Sequence, residues 1–291
     1  MYLRTLTLFL VTSLWSAHGM GMDVDSLWDY SNPQLSERRF LDTLNGLHDQ
    51  EIILKTQIAR SYGLRGDFAH ARSILSELEP GIAKASPEAR ARYQIELGRT
   101  MVSAAHPADS LKATDRAAAR AAVLKAASIL EGTQLDSLRI DAWQMLAIVE
   151  TDPAKQLKWL YQALSLAESS TQATAAEWQA ALLHSTGLVT HQQHRYDEAL
   201  YWFTRAEQVR RSKDNQEATW ISSWMVGWTL RYLDRTDEAL QTQTRLEQER
   251  QVAGKPSPFV YDELVLLYKK KGNQERADFY TKQRSALKVG S

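Results

Sequence analysis

Residues 195–200 read RYDEAL, and the pattern returns as RTDEAL at residues 235–240, forty residues later. Self-similarity at a fixed period of this length predicts a repeat protein. Small residues follow the same spacing, since Ala147, Gly187 and Gly227 lie forty residues apart. A small residue on a helix lets a neighbouring segment approach closely. The spacing therefore predicts repeated, closely packed units of about forty residues.

Composition and hydrophobic periodicity favour helices throughout the repeats. Glycine and proline are sparse, at 13 and 7 of 291 residues, and residues with high helix propensity dominate. Apolar residues recur three and four positions apart, as at Ala71, Leu75 and Leu78, which is the spacing that lines one helix face. Connectors that contain Gly or Asp, such as residues 64–68 and 234–238, separate these segments. The pattern predicts stacked antiparallel helical hairpins.

The charge and cysteine counts exclude several classes of function. Lys and Arg number 35 and are balanced by 35 Asp and Glu, whereas a nucleic-acid binder needs a basic excess on some face. The chain has no cysteine, so disulfides, thiolate metal sites and cysteine nucleophiles are ruled out. We therefore expect no nucleic-acid partner.

The amino terminus has the pattern of a secretory signal. A basic residue precedes the apolar run at residues 6–15, and small residues follow it. Ala17 and Gly19 predict cleavage after Gly19, although Gly19 and Gly21 would allow cleavage two residues later. An uncleaved anchor is the alternative, but the run is well short of the roughly 20 residues that span a bilayer. We predict a signal peptide at residues 1–19 and a mature chain exported to the periplasm or the cell exterior, without membrane insertion.

The hairpins resemble those of the tetratricopeptide repeat (TPR) family. The unit of that family is a helical hairpin with a small residue and an aromatic residue on the first helix, then alanine and an aromatic residue on the second. The best matches are IARSYGLRGDFAHARSIL (58–75), LHSTGLVTHQQHRYDEALYWFTRA (183–206) and LVLLYKKKGNQERA (264–277). The resemblance implies an all-α fold, a right-handed superhelix (α-solenoid) of about six hairpins that start near residues 52, 91, 140, 180, 220 and 258.

This chain departs from the family pattern in two ways. Most units run near forty residues rather than about thirty-four, and the second unit carries an insertion at residues 103–117. The predicted domain order is an N-terminal segment with a capping helix at residues 20–50, started near Asn32-Pro33, and a repeat domain at residues 51–291. Proline is favoured in the first turn of a helix, which supports that start.

The stretch WISSWMVGW (220–228) places three tryptophans four residues apart on one predicted helix. Four-residue steps put them in one stripe, and three exposed indoles would form an unusually large apolar patch. If Gly227 holds the small-residue position, then Trp224 and Trp228 face the inner groove of the superhelix and Trp220 lies at its edge. If the register slips by one residue, Trp224 belongs to the core. The sequence leaves both alternatives open.

The same alignment places further polar side chains in the groove. His184 and His191 of the fourth hairpin and Arg231 of the fifth would join the two indoles in a wall that suits an aromatic or acidic peptide segment. Arg60 and Arg99 would continue a basic strip; the alternative is that these arginines pair with glutamates on adjacent helices. The candidate partner-binding residues are Trp224, Trp228, Arg231, His184, His191, Arg99 and Arg60.

No catalytic or metal-binding motif is found in the sequence. There is no glycine-rich phosphate loop, no GxSxG and no HExxH. His184, His191 and His194 are the nearest approach to a metal cluster, but nothing in the sequence shows that they converge. We therefore expect no enzyme activity, no metal and no cofactor. The resemblance implies a scaffold that binds a protein or peptide partner, and the predicted export suggests a role in cell-envelope assembly or maturation. The alternative is a receptor for a small ligand or carbohydrate.

Overall fold

A computed structural model describes residues 24–44, 46, 48–103, 105–107, 110–213 and 215–287 of the chain. A 3-10 helix (Val24–Leu27) and helix α1 (Pro33–Thr43) precede the repeats. The first three hairpins are α2 (His48–Leu64) with α3 (Phe68–Ile82), α4 (Pro87–Met101) with α5 (Ala113–Ile129), and α6 (Asp136–Val149) with α7 (Pro153–Ser169). After the short α8 (Ala173–Ala176), the last three are α9 (Gln179–Gln192) with α10 (Tyr196–Ser212), α11 (Gln216–Tyr232) with α12 (Thr236–Val252), and α13 (Pro258–Lys270) with α14 (Gln274–Leu287).

Helix starts follow from capping side chains and prolines. Asn32 accepts a hydrogen bond from the Leu35 amide at 3.1 Å, and Pro33 begins α1, which packs on α2. Asp67 caps α3 in the same way, since its carboxylate accepts from the His70 amide at 3.2 Å. Each cap satisfies an amide that the first turn of a helix leaves unpaired.

The turn inside four of the hairpins contains one residue in the left-handed region. It is a glycine in the first and last hairpins, Gly66 and Gly272, but His194 (φ 59°) and Asp234 (φ 58°) take this position in the fourth and fifth. His194 and Asp234 lie at equivalent positions of the forty-residue repeat. The backbone conformation of the turn is therefore repeated, although the residue type is not. Asn, Asp and His tolerate this region better than other non-glycine residues.

The two helices of a hairpin approach closely at a small residue. A Cβ atom added to Gly187 would lie 2.6 Å from the Phe203 ring of α10. A Cβ atom at Gly227 would lie equally close, at 2.6 Å, to the Gln243 side chain of α12. The large side chain of the second helix thus lies directly on the glycine backbone of the first. Gly227 holds the small-residue position that the sequence suggested for it.

The stacking of the hairpins puts the first helices on the inside of the solenoid. Consecutive first helices contact one another directly in the pairs α2/α4, α4/α6 and α11/α13, whereas no second helix of the described residues packs extensively on the next second helix. Elements on the inside of a curved stack are closer together. The first helices α2, α4, α6, α9, α11 and α13 therefore form what we call the inner surface.

The predicted signal peptide at residues 1–19 lies outside the described residues. Among the helices that the structure describes, none combines the length and apolar character needed to cross a bilayer. Part of the predicted insertion at residues 103–117 forms a connector, where His106 stacks on Phe68 with ring centroids 3.7 Å apart, and its last residues belong to α5.

Phe203→Ala tests the hairpin packing. Phe203 is fully buried, and truncation of a buried phenylalanine costs about 3 to 5 kcal/mol of the free energy of unfolding. Urea unfolding followed by circular dichroism measures the change. Gln208→Ala, at an exposed position of the same helix, is the control and should stay within about 0.5 kcal/mol. A loss below about 1 kcal/mol for Phe203→Ala would contradict the observed packing.

Candidate partner-binding groove

The inner surface of the first three hairpins is centred on a group of four charged side chains. Arg99 of α4 donates to Glu96 at 3.0 Å and also pairs with Asp141 of α6. Arg60 of α2 lies 4.0 Å from Glu96 and 3.8 Å from Asp141. We call these side chains, two guanidiniums and two carboxylates, the ion-pair quartet. Its formal charge is zero, and it joins three successive first helices.

Burial and neighbouring positive charge shift the pKa values of the quartet's carboxylates in opposite directions. Both side chains are almost fully buried, at 3% exposed for Glu96 and 7% for Asp141. Burial raises the pKa of Glu96. Burial also opposes ionisation of Asp141, but the positive charges of Arg99 and Arg60 outweigh it and lower the pKa of Asp141. The guanidiniums therefore hold Asp141 in its charged form.

Two adjoining cavities open on either side of the quartet. The larger has a volume of about 560 Å³ and extends towards the N-terminal ends of α4, α6 and α9. The smaller, of about 200 Å³, lies towards the C-terminal ends of α2, α4 and α6. Arg60, Asp141, Gln144 and Trp178 line both cavities. The two cavities are thus adjacent parts of one groove.

Gln144 and Trp178 differ in how they are held at the junction of the cavities. The Trp178 indole donates to the Ser137 hydroxyl at 2.9 Å, which fixes the ring. The half-buried Gln144 carboxamide has no hydrogen-bond partner among the described residues. It has both donors and an acceptor available for a bound molecule.

The fourth and fifth hairpins contribute aromatic side chains to the inner surface. The His191 ring stacks on Trp228 at 3.6 Å between centroids, and Trp224 lies nearly parallel to Trp228 at 5.7 Å. Tyr232 meets Trp228 edge-on at 5.4 Å. We call His191, Trp224, Trp228 and Tyr232 the aromatic column. Because His191 stacks on Trp228, a ligand that stacks on the same face of Trp228 would have to displace that contact.

Hydrogen bonds and charge hold the aromatic column in place. Trp224 donates to the Phe259 carbonyl at 3.1 Å. Arg231 makes a bidentate pair with Glu263 of α13, at 2.7 and 3.0 Å. Burial, with the nearby charges of His194 and Arg231, lowers the pKa of His191 to about 4. His191 is therefore neutral at neutral pH, as a ring stacked in a protein interior should be.

Trp220 belongs to the core, which corrects its expected place at the groove edge. The residue is 3% exposed and packs with Leu246 and Tyr261. Its indole donates to Glu249 at 3.1 Å, and the Arg250 guanidinium lies 4.5 Å from the ring centroid. The tryptophan stripe thus divides, because α12 and α13 cover Trp220 while Trp224 and Trp228 stay half-buried.

The structure does not bring all the predicted residues together. Arg60 and Arg99 join the quartet, whereas Trp224, Trp228, His191 and Arg231 meet about two hairpins away. His184 joins neither group: its ring lies 5.6 Å from Phe203, and burial, with the charge of Arg210, lowers its pKa to about 4. Within the described ranges, no three His, Asp or Glu side chains are arranged to hold a metal ion.

Sequence reasoning missed Gln144 and Ile148, although the repeat contained a signal for both. Gln144 lies forty residues before His184 and eighty before Trp224. Ile148 lies eighty residues before Trp228, lines the smaller cavity and is 38% exposed. Applying the forty-residue spacing to these two positions would have identified them. Glu96 was also available, three residues before Arg99 on the same helix face.

The fold is similar to that of solved helical-repeat proteins. The chain superimposes with a TM-score of 0.68 on a signal transduction ATPase with a tetratricopeptide repeat sensor from Pyrococcus horikoshii, at 10% identity, over 89% of this chain and 39% of that one. It superimposes on apo RapI with a TM-score of 0.68, at 12% identity, over 92% of this chain and 76% of RapI. NprR in complex with its cognate peptide NprX gives 0.52, at 12% identity, over 90% and 76% of the two chains.

These similarities concern the fold alone, and the chain spans well under half of the ATPase that it matches. No protein-family model matches the chain, and no curated protein matches it in sequence. The predicted fold class, an α-solenoid of TPR-like hairpins, is confirmed.

Asp141→Asn tests the quartet. The substitution removes one of two negative charges and leaves two buried guanidiniums with a single carboxylate, which costs about 3 kcal/mol or more of the free energy of unfolding. Urea unfolding measures the loss. Asp237→Asn is the control, because Asp237 pairs with Lys271 at 2.7 Å on the surface, where such pairs contribute little. Equal losses for the two variants would show that the quartet is not a buried unit.

Proposed function

We propose that the chain is a binding scaffold that holds an extended peptide segment of a partner protein along its inner surface. The observation that carries this proposal is the groove itself: two adjoining cavities that meet at Gln144, whose carboxamide has no internal partner. An extended peptide presents an amide and a carbonyl that such a carboxamide can pair with. Stacked helical repeats characteristically use a long concave surface of this kind for binding.

The similarity to peptide-bound NprR supports this function. The two chains share a fold, and NprR was solved with its cognate peptide. We infer from the shared architecture that a peptide is a suitable ligand for the groove. The action is binding rather than catalysis, since the arginines and histidines of the groove are engaged in ion pairs and ring stacks.

The pairing of the arginines changes the expected chemistry of the partner. Arg231 is paired with Glu263, and Arg60 and Arg99 share two carboxylates. The basic strip suggested by the sequence therefore carries little free positive charge. The groove does not favour an acidic segment on electrostatic grounds.

A small-ligand receptor is the second candidate function. The larger cavity, at about 560 Å³, falls in the range of roughly 300 to 1,000 Å³ typical of small-molecule sites. A carbohydrate that stacks on Trp228 is less favoured, because His191 already stacks on that ring. A thermal-shift screen with envelope sugars distinguishes the two functions: stabilisation by a sugar supports the receptor.

Site-specific photo-crosslinking tests the peptide scaffold. Benzoylphenylalanine replaces Gln144 or Tyr232 on the inner surface and, as a matched control, Tyr201, which is 54% exposed on the second helix α10. We expect both inner positions to crosslink to one short segment of the same protein in an extract of the source cells. Crosslinking at Tyr201 alone, or at none of the three positions, would remove the inner surface from consideration.

We further propose that the scaffold is exported and acts in the assembly or maturation of envelope proteins. The motivating observation is the basic residue, the apolar run at residues 6–15 and the small residues after it. The test is mass spectrometry of the intact protein from fractionated source cells. A mature chain that begins at Met20 or Met22 in the envelope fraction is the expected result. A chain that begins at Met1 in the cytosolic fraction would contradict export.

A further inference from the structure

The two cavities of the groove have different linings. Charged and hydrogen-bonding side chains dominate the larger cavity, whereas the smaller cavity is bounded on one side by apolar side chains: Leu64, Phe68, Met145 and Ile148. Leu64 and Ile148 are 45% and 38% exposed. Exposed apolar side chains around a concave opening favour burial of an apolar group there.

The larger cavity has an excess of negative charge. Its lining contains two guanidiniums and four carboxylates, from Arg60, Arg92, Asp25, Glu88, Asp141 and Glu177. The quartet is neutral as a whole, so the excess comes from the carboxylates outside it. A low-dielectric cavity with this excess concentrates cations.

The carboxylates outside the quartet differ in how they are paired. Arg92 donates to Glu88 at 2.9 Å and lies 3.8 Å from Asp25, so both of these carboxylates have a partner within the chain. Glu177 is exposed at the cavity wall and makes no ion pair with the described residues. Its carboxylate is available to a cation that enters the cavity.

Aromatic side chains line the same cavity beside these carboxylates. Trp178 follows Glu177 directly, and its ring is fixed by the bond to Ser137. Tyr30, which is 58% exposed, stacks on Trp28 at 4.7 Å. An ammonium or guanidinium group is attracted both to carboxylates and to the faces of such rings.

The carboxamide of Gln144 links the two cavities. It lines both of them and is unpaired, so a peptide backbone that passes over it can exchange hydrogen bonds with it while neighbouring side chains enter the two cavities. Side chains one or two positions apart on an extended peptide are separated by about 3 to 7 Å along the backbone. That separation suits two openings that share four lining residues.

We propose that the groove of the first four hairpins selects a peptide segment that pairs a lysine or arginine with a nearby apolar residue. The cationic side chain enters the larger cavity beside Glu177 and Trp178. The apolar side chain enters the smaller cavity, and the backbone pairs with Gln144. This inference rests on the proposed peptide scaffold and defines its partner as a basic, partly apolar segment.

A panel of labelled hexapeptides tests the preference. Each peptide is acetylated and amidated, carries one leucine and one variable residue (lysine, glutamate or glutamine) that are adjacent or separated by one glycine, in either order, and is otherwise glycine. Fluorescence polarisation gives the Kd at low and at physiological ionic strength. We expect a leucine–lysine peptide to bind about tenfold more tightly than its leucine–glutamate counterpart, as one charge-assisted contact allows. The difference should shrink as salt screens the charges.

Single substitutions test whether the larger cavity causes the preference for lysine peptides. Glu177→Lys should remove or reverse the discrimination between lysine and glutamate peptides, because it changes the sign of the available charge. Glu275→Lys makes the same change at an exposed position on α14 that lines neither cavity, and it should leave the Kd unchanged. Gln144→Ala should weaken all peptides to a similar extent. Circular dichroism checks the folding of each variant.

The outcomes separate this inference from the proposed scaffold. Glutamate peptides that bind as tightly as lysine peptides, with a loss in Gln144→Ala, would overturn the charge preference and keep the peptide groove. Equal effects of Glu177→Lys and Glu275→Lys would overturn the assignment to the larger cavity. Absence of binding by every peptide would overturn the inference, and the crosslinking at Gln144 and Tyr232 would then decide the scaffold independently.

Discussion

The close approach of two helices at one small residue is the constraint on which the architecture depends. Gly187 leaves room for the Phe203 ring, and Gly227 leaves room for Gln243, with a hypothetical Cβ only 2.6 Å from each. Because the small residue must face the second helix of its own hairpin, the next residue along the first helix is turned towards the inner surface. This close packing therefore decides which residues of the first helix belong to the core and which face the inner surface.

The repeat made the fold predictable from the sequence. Forty-residue spacing, helix-forming composition and Gly- or Asp-containing connectors each indicate stacked hairpins, and they agree with one another, which is what a sequence with a single native fold requires. The same spacing placed Trp228 on the inner surface on the condition that Gly227 is the small residue against the second helix, and Gly227 does pack there. The spacing would also have identified Gln144 and Ile148, since they precede Trp224 and Trp228 by eighty residues.

Contacts between hairpins could not be predicted in the same way. The sequence shows Glu96 three residues before Arg99. The contact of Arg99 with Asp141 of α6, however, depends on how the second and third hairpins stack, and an insertion separates the two residues in sequence. Trp220 illustrates the same limit. A stripe of three indoles is wide enough to extend from groove to core, and the packing of α12 and α13 decides which indole is covered.

In the proposed scaffold, the two halves of the inner surface contribute differently to recognition. In the aromatic column the rings pack on one another, and the stack of His191 on Trp228 leaves less of that indole to a ligand. In the first half the quartet is neutral, and a neutral, internally paired group gives little discrimination between charged ligands. Selectivity then depends on the groups that remain unpaired, which are Gln144 for the backbone and Glu177 for the charge. A groove that contains many charges can thus take its preference from the few that the fold leaves uncompensated.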